Sequence, residues 1–216
     1  MCGILVQYSK KGDIDEFKFK ESLLLQRQRG PDNQSYVRLS PNLIMGHTRL
    51  SIIDLNFDSN QPFKSDQGNY ISYNGEIYNF LELREELIKK GKVFNTSGDT
   101  EVLATYLDDS YINNLEKLNG MWSFAYYLAE DKKLLISRDR YGKKPLYFYE
   151  DATDLIISSE IKSIYSLKHM TRSVTREHLL YFLNTNLWHQ EDNSTFYKHI
   201  KKVMPGQSIE FDLSNN

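Results

Sequence analysis

The chain of 216 residues is long enough to bury a sizeable core as one large domain or two small ones. Its net charge of −2 gives no general attraction to nucleic acid or to an anionic membrane, and no apolar run approaches the ~18 residues that cross a bilayer. The first residues lack the pattern of a signal peptide, and a single cysteine excludes an internal disulfide, so we expect a cytoplasmic protein.

Short apolar runs and helical spacing predict most of the secondary structure. In chain order, the predicted strands cover residues 2–8, 43–47, 69–73, 121–129, 134–137, 146–149, 155–158 and 209–216. The predicted helices cover residues 18–27, 79–91, 99–108 and 175–183. Short polar connections between successive strands require antiparallel pairing, and helices placed between blocks of strands favour an α+β fold.

Cys2 is the only cysteine, and it follows the initiator methionine directly. Removal of Met1 would leave two useful groups on one residue: a nucleophilic sulfur, and a free α-amine with a pKa near ~8 that can act as a base. Most cysteines are inert packing residues. Cys2 alone therefore leaves both interpretations open.

Three further positions have an ordinary structural interpretation beside a catalytic one. Asn74-Gly75 is typical of a β-hairpin turn, but an Asn side chain beside a Gly backbone N–H also suits an oxyanion hole. Arg49, at the end of an extended run, is either a solvated charge or a bidentate clamp for a carboxylate. Asp99 either caps the helix that follows or receives an ammonium group.

The remaining polar segments indicate no chemistry on their own. Residues 29–32 are typical of a turn, residues 137–145 of a charged loop, and residues 158–162 of the end of a strand. His47 could be mistaken for the base of Cys2, which an N-terminal amine would make unnecessary. No metal site is predicted, because metal-ligand spacing is absent among His47, His169, His178, His189 and His199.

Seven short motifs follow one another along the chain: Met1-Cys-Gly-Ile4, Arg29-Gly-Pro-Asp32, His47-Thr-Arg-Leu-Ser-Ile-Ile-Asp54, Asn74-Gly-Glu-Ile-Tyr-Asn79, Ser97-Gly-Asp-Thr-Glu101, Arg138-Asp-Arg-Tyr-Gly142 with Lys144-Pro-Leu-Tyr147, and Ser159-Glu-Ile-Lys162. Their set and order resemble the glutaminase domain of glutamine-hydrolysing asparagine synthetases, over essentially the whole chain. Related amidotransferases that make glucosamine phosphate share the opening Cys-Gly-Ile but typically have Arg-Gly-Tyr-Asp at the turn. One departure is Gln28, where the family often has His.

The resemblance implies a four-layer αββα sandwich of the N-terminal-nucleophile hydrolase type with antiparallel sheets, formed by residues 2–213 as a single glutamine amidotransferase type 2 domain. It implies that Cys2, freed of Met1, attacks the side-chain amide of L-glutamine while Asn74 and Gly75 hold the oxyanion. The implied substrate-binding residues are Arg49 for the α-carboxylate, the backbone of Leu50, Ser51, Ile52 and Ile53 along the pocket, and Glu76 and Asp99 for the α-ammonium.

The resemblance also implies a partner. Asparagine synthetases continue into an ATP-pyrophosphatase domain that uses the ammonia, and its Ser-Gly-Gly-Leu-Asp-Ser type loop is absent from these 216 residues. We therefore expect no cofactor in this domain, and ATP and Mg²⁺ only for the missing synthetase domain. The expected partners are L-glutamine and a synthetase domain, in the same longer chain or separate, and a homodimer is left open.

Three alternatives remain at this point. The same glutaminase chemistry could serve a sugar or natural-product acceptor, because the missing domain determines the acceptor. A second alternative is a glutamine-binding regulatory module that has lost turnover, which the retention of Cys2 argues against. The third is a peptide-amide hydrolase on the same fold, against which Arg49 and Asp99 count because they would bind both ends of a free amino acid.

Overall fold

The computed structural model describes residues 1–113, 115–187 and 192–214. These residues form the strands β1 (Gly3–Ser9), β2 (Asn33–Ser40), β3 (Leu43–Arg49), β4 (Phe63–Lys64), β5 (Tyr70–Ile77), β6 (Gly120–Leu128), β7 (Lys133–Arg138), β8 (Tyr147–Glu150), β9 (Asp154–Ser158), β10 (Ile200–Lys202) and β11 (Ser208–Asp212). The helices are α1 (Glu16–Leu24), α2 (Phe80–Lys89), α3 (Asp99–Ser110), α4 (Ile161–Lys168) and α5 (Arg176–Thr185). Short 3₁₀ turns occupy Phe57–Ser59 and Leu115–Lys117.

The strands form two antiparallel sheets. One has the order β10-β8-β9-β1-β3-β2 and the other the order β11-β7-β6-β5-β4. Because side chains alternate across a strand, each sheet has two apolar faces to cover. In β1, for example, Ile4 and Val6 face one hydrophobic cluster and Leu5 faces another.

Three hydrophobic clusters separate four layers. The central cluster lies between the two sheets and includes Val6, Met45 and Ile136. On the outer faces, α2 and α3 cover the second sheet, and α1 and α4 cover the first. Each fully buried aliphatic or aromatic side chain in these layers contributes roughly 1.5–3 kcal/mol by leaving water. The expected αββα sandwich with antiparallel sheets is thereby confirmed.

Most predicted elements are present, with ends displaced by a few residues. The helix predicted over 18–27 begins earlier, at Glu16, because Asp15 caps it by accepting a hydrogen bond from the Lys18 N–H at 3.1 Å. Four elements were not predicted: β2, β4, β10 and α4. The strand predicted over 209–216 is β11; residues 215 and 216, and also His189, lie outside the described residues. Within the described ranges, no helix is long and apolar enough to cross a membrane.

The hairpin interpretation of Asn74-Gly75 is wrong. Strand β5 runs straight through both residues, which pair with Ser123 and Trp122 of β6. A Cβ atom at position 75 would lie 2.2 Å from the backbone oxygen of Met121. Glycine is therefore required here by the close approach of a neighbouring strand and not by a turn.

The interpretation of residues 158–162 as the end of a strand covers only half of that segment. Strand β9 ends at Ser158, and α4 begins at Ile161. Between them, the Ser159 hydroxyl accepts a hydrogen bond from the backbone N–H of Ile4 at 3.0 Å. This contact helps to fix the first residues of β1, immediately after Cys2.

Candidate active site

Cys2 lies at the start of β1 and is held from three directions. Its backbone nitrogen donates to Asn74 Oδ1 at 3.1 Å, and its carbonyl oxygen accepts from Arg29 Nε at 2.8 Å. The backbone N–H of Leu50 points at the sulfur, with a distance of 3.4 Å. The thiol therefore has a defined position beside the start of β1, the end of β3 and the middle of β5.

The surroundings of Cys2 act on its ionisation in opposite directions. Burial raises the pKa of the thiol, whereas the Leu50 N–H and the positive charges of the N-terminus, Arg49 and Lys144 lower it, and burial prevails. Burial also lowers the pKa of the Met1 α-amine. A thiol with a raised pKa needs a nearby base to become a nucleophile at neutral pH, and an N-terminal amine with a lowered pKa is more often unprotonated there.

Asn74 contributes one satisfied and one unsatisfied group. Its Oδ1 accepts the Cys2 N–H, which leaves Nδ2 on the opposite side of the amide. Nδ2 is buried and has no hydrogen-bond partner within the described chain. An unpaired buried donor costs about 1–3 kcal/mol. Such a donor beside a nucleophile suits an oxyanion that forms during a reaction.

Arg49 is not a solvated surface charge. Arg49 is the last residue of β3, and it is only 6% exposed. Nη1 donates to the Asn56 backbone oxygen at 3.0 Å and to Asn60 Oδ1 at 2.8 Å, and Nη2 donates to the Asp54 backbone oxygen. These bonds use three of the five guanidinium N–H groups. The guanidinium is fixed in place and still has donors for a ligand.

Asp99 does not cap α3, because Gly98 occupies the N-cap position and Asp99 is the first helical residue. Its Oδ2 accepts from the Tyr73 hydroxyl at 2.8 Å and from the Ile77 N–H at 3.0 Å. Burial raises the pKa of this carboxyl, although both hydrogen bonds lower it. A cationic ligand group beside Asp99 would therefore favour its charged form.

Nine of the ten site residues predicted from the sequence line one open cleft with about 600 Å³ of free space: Cys2, Arg49, Leu50, Ile52, Ile53, Asn74, Gly75, Glu76 and Asp99. The exception is Ser51. Its backbone N–H donates to Asp32 Oδ2 at 2.7 Å, so Ser51 helps to hold the loop after β3 against the turn at residues 29–32. Together with the Arg29 bond to Cys2, this gives that turn a part in positioning the site.

The cleft also contains residues for which the sequence predicted no role: Met1, Gln61, Tyr73, Thr100 and Lys144. Lys144 belongs to one of the seven motifs, which is the signal that could have identified it. Its side chain is only 8% exposed, and its ammonium has no hydrogen-bond or ion-pair partner within the described chain. Its positive charge lies close enough to Cys2 to lower the pKa of the thiol.

His47 is not placed to serve as the base of Cys2. It is fully buried outside the cleft lining, and its Nε2 lies 2.9 Å from the backbone oxygen of Tyr73. Desolvation lowers its pKa to about 4, although the hydrogen bond with the Tyr73 backbone oxygen raises it. The residues that the structure describes contain no group of three or more His, Cys, Asp or Glu side chains that could hold a metal ion.

Comparison with known proteins finds relatives over most of the chain. Asparagine synthetase [glutamine-hydrolyzing] 1 of Bacillus subtilis (strain 168) is 34% identical over 215 residues, which are 97% of this chain and 33% of that protein. Asparagine synthetase B [glutamine-hydrolyzing] of Escherichia coli (strain K12) is 36% identical over 167 residues, covering 76% of this chain and 30% of that protein. Amidase chyE of Penicillium rubens is 33% identical, covering 91% and 28% respectively. The chain thus spans about a third of the length of these curated relatives.

The fold has solved counterparts as well. The structure of the glutamine phosphoribosylpyrophosphate amidotransferase from B. subtilis superimposes with a TM-score of 0.63 at 22% sequence identity, over 80% of this chain and 45% of that one. At this identity the likeness concerns the fold alone. The family model described as "Glutamine amidotransferase domain" matches residues 1–216. With this match over its whole length, the chain belongs to the glutamine amidotransferase domain family.

Proposed function

We propose that this chain hydrolyses L-glutamine to glutamate and ammonia, with Cys2 as the nucleophile. The observation that carries the proposal is the buried, unpaired Nδ2 of Asn74, beside a cysteine whose own nitrogen is bonded to the same side chain. Removal of Met1, which is 53% exposed, would turn that nitrogen into a free α-amine. Nucleophile, base and oxyanion donor would then lie within one hydrogen-bonded unit.

In the proposed reaction, the Cys2 α-amine takes the thiol proton as the sulfur attacks the amide carbon of glutamine. The carbonyl oxygen becomes an oxyanion, which Asn74 Nδ2 and the Gly75 backbone N–H hold. The protonated amine then gives its proton to the leaving nitrogen, the C–N bond breaks, and ammonia departs from a thioester. Water attacks the thioester with the same amine as base, and release of glutamate restores the thiol.

The two charged ends of glutamine would be bound at the opposite side of the cleft. We assign the α-carboxylate to Arg49, whose remaining N–H donors suit a planar anion. The α-ammonium would lie beside Asp99, with Glu76 as a second carboxylate. This arrangement favours a free amino acid over a peptide amide, because a peptide has neither charge at these positions.

We propose that the ammonia is used by a synthetase domain, as the names of the bacterial relatives suggest for those proteins. That domain would need ATP and Mg²⁺, whereas the glutaminase reaction needs neither. Glutamate release by the purified chain should therefore continue at an unchanged rate in EDTA without ATP. Loss of glutamate release under these conditions would contradict the assignment of ATP and Mg²⁺ to the synthetase domain. In a separate measurement, sedimentation of the same sample would show whether the chain forms a homodimer.

The decisive test is Cys2→Ala, assayed by glutamate release from glutamine. The variant should lose activity completely while its unfolding transition in urea stays close to that of the parent chain. Intact-mass measurement of the active protein should show that Met1 has been removed. Activity that persists in Cys2→Ala, or full activity with Met1 retained, would refute the mechanism.

A further inference from the structure

Asp54 connects the two halves of the cleft, although the roles described so far do not include it. It lies in the loop after β3, with a left-handed backbone at φ 49°. One carboxylate oxygen accepts the Asn56 N–H of its own loop at 3.0 Å, and the other accepts the Ser97 N–H of the loop before α3 at 2.8 Å. Its backbone oxygen accepts a hydrogen bond from Arg49 Nη2. One residue thus contacts both loops and one of the two charged binding groups.

The loop on the far side of this bridge is itself firmly held. The Glu101 carboxylate accepts from the Asn95 N–H at 2.9 Å and from the Thr96 N–H and hydroxyl at 2.6 Å each. Arg84 donates to the Thr96 backbone oxygen at 2.7 Å. Ser97 is therefore a fixed anchor, two residues before Asp99.

The contact at Gly98 brings the two loops close together. A Cβ atom built at Gly98 would lie 3.4 Å from the Asp54 Cβ, which is ordinary van der Waals contact. The hydrogen bonds from the Asn56 and Ser97 backbone N–H groups hold the pKa of the Asp54 carboxyl well below its usual range. The carboxylate is consequently charged at every pH at which the protein would be assayed, and its two hydrogen bonds are charge-assisted.

We propose that Asp54 is a positioning residue that fixes the spacing between Arg49 and Asp99, and that it thereby makes the cleft selective for a free α-amino acid. The inference rests on the proposed function, because it concerns recognition of glutamine in the same cleft. A ligand that has both an α-carboxylate and an α-ammonium depends on this spacing. A ligand that lacks either group depends on it far less.

Two substitutions at position 54 test the carboxylate without disturbing the left-handed backbone conformation of that residue. In Asp54→Asn, the asparagine tolerates the left-handed conformation but has only one acceptor oxygen. Its NH₂ group would therefore face the N–H of either Asn56 or Ser97. Asp54→Gly suits the same φ and removes both acceptors. Asp58→Asn is the matched control, because Asp58 is an exposed acidic residue of the same loop.

The first measurement is the Kd for L-glutamine in a Cys2→Ala background, which requires no turnover. Asp54→Asn should raise this Kd about tenfold and Asp54→Gly should raise it further, whereas Asp58→Asn should leave it unchanged. With Cys2 present, Asp54→Asn should raise KM for glutamine similarly while kcat stays within about threefold. The kcat/KM for glutaramate, which lacks the α-amine, and for 4-aminobutanamide, which lacks the α-carboxylate, should change less than threefold.

A role for Asp54 in general folding predicts a different pattern. It would lower kcat/KM for all three amides equally and would slow alkylation of Cys2 by iodoacetamide. That result, or an unchanged Kd for glutamine in both Asp54 variants, would overturn the inference. Failure of the proposed function is recognised separately, since the unsubstituted chain would then release no glutamate from glutamine.

Discussion

Replacing Asn74 by alanine should separate catalysis from folding. The substitution removes two groups that differ in their present state: Oδ1, which accepts the Cys2 N–H at 3.1 Å, and Nδ2, which is buried without a partner. In the proposed reaction, only Nδ2 gains a partner as the oxyanion forms. Its loss should therefore raise the barrier without a matching loss of stability.

The expected effect of Asn74→Ala on the rate is larger than its expected effect on stability. Removing one oxyanion donor costs about 2.7–4 kcal/mol in the barrier, so kcat of Asn74→Ala should fall 10²- to 10³-fold, by the usual magnitude for such sites. Loss of the Oδ1 hydrogen bond destabilises the fold by about 0.5–1.5 kcal/mol, and removal of the unsatisfied Nδ2 relieves about 1–3 kcal/mol. The net change in the free energy of unfolding should consequently lie between about 0.5 kcal/mol of destabilisation and about 2.5 kcal/mol of stabilisation.

The assay is glutamate release at saturating glutamine, together with urea unfolding monitored by tryptophan fluorescence. Ser72→Ala is the matched control, because Ser72 is buried on the same face of β5 but does not line the cleft. The control should retain kcat within about threefold. The reasoning fails if Asn74→Ala keeps more than a tenth of the parental kcat, or if its rate loss is accompanied by an unfolded protein.

Two further predictions concern ionisation. Lys144→Met removes a positive charge that lowers the pKa of the Cys2 thiol. The pH at which alkylation of Cys2 by iodoacetamide reaches half its maximal rate should therefore rise. Lys144→Arg keeps the charge and should show no rise, and equal shifts in both variants would contradict this role. His47 is neutral in the folded chain because burial lowers its pKa from 6.5 to about 4. The contribution of neutral His47 to the free energy of unfolding should therefore be fully present above pH 6.5, and roughly 3 kcal/mol should be lost as the pH drops to about 4. Urea unfolding at pH 7 and pH 4.5 should show a smaller loss for His47→Gln, and an equal loss would contradict the reasoning.

The elements missed from the sequence share a physical cause. β2 and β4 lie at sheet edges, and β10 is an edge strand of only three residues. Edge strands need little apolar patterning, because one side of the strand and part of its surface face solvent. For α4, eight residues directly after a strand give too short a stretch for helical periodicity to stand out.

Local patterns were sufficient where an element had a clear apolar face, as in α2, or a continuous apolar run, as in β1. The amphipathic spacing of α2 follows from burial of one face, with Leu83 and Leu87 buried, so it can be predicted from neighbouring residues. Asn74-Gly75 shows where such local reasoning ends. The pair has the composition of a hairpin turn, yet the strand continues because Met121 on β6 lies too close for any side chain at position 75.

The order of motifs along the chain already identified the family, and nine of the ten site residues that it predicted line the cleft. It could not distinguish a buried Arg49 from a solvated one, or an Asp99 bonded to Tyr73 from a helix cap, since these depend on contacts between residues far apart in the chain. The unpaired Asn74 Nδ2, the place of Lys144 in the cleft and the Asp54 bridge likewise arise from packing of the two sheets and the loops at their ends. Residue types specify which chemistry is available, whereas distances, burial and missing partners specify which group performs it.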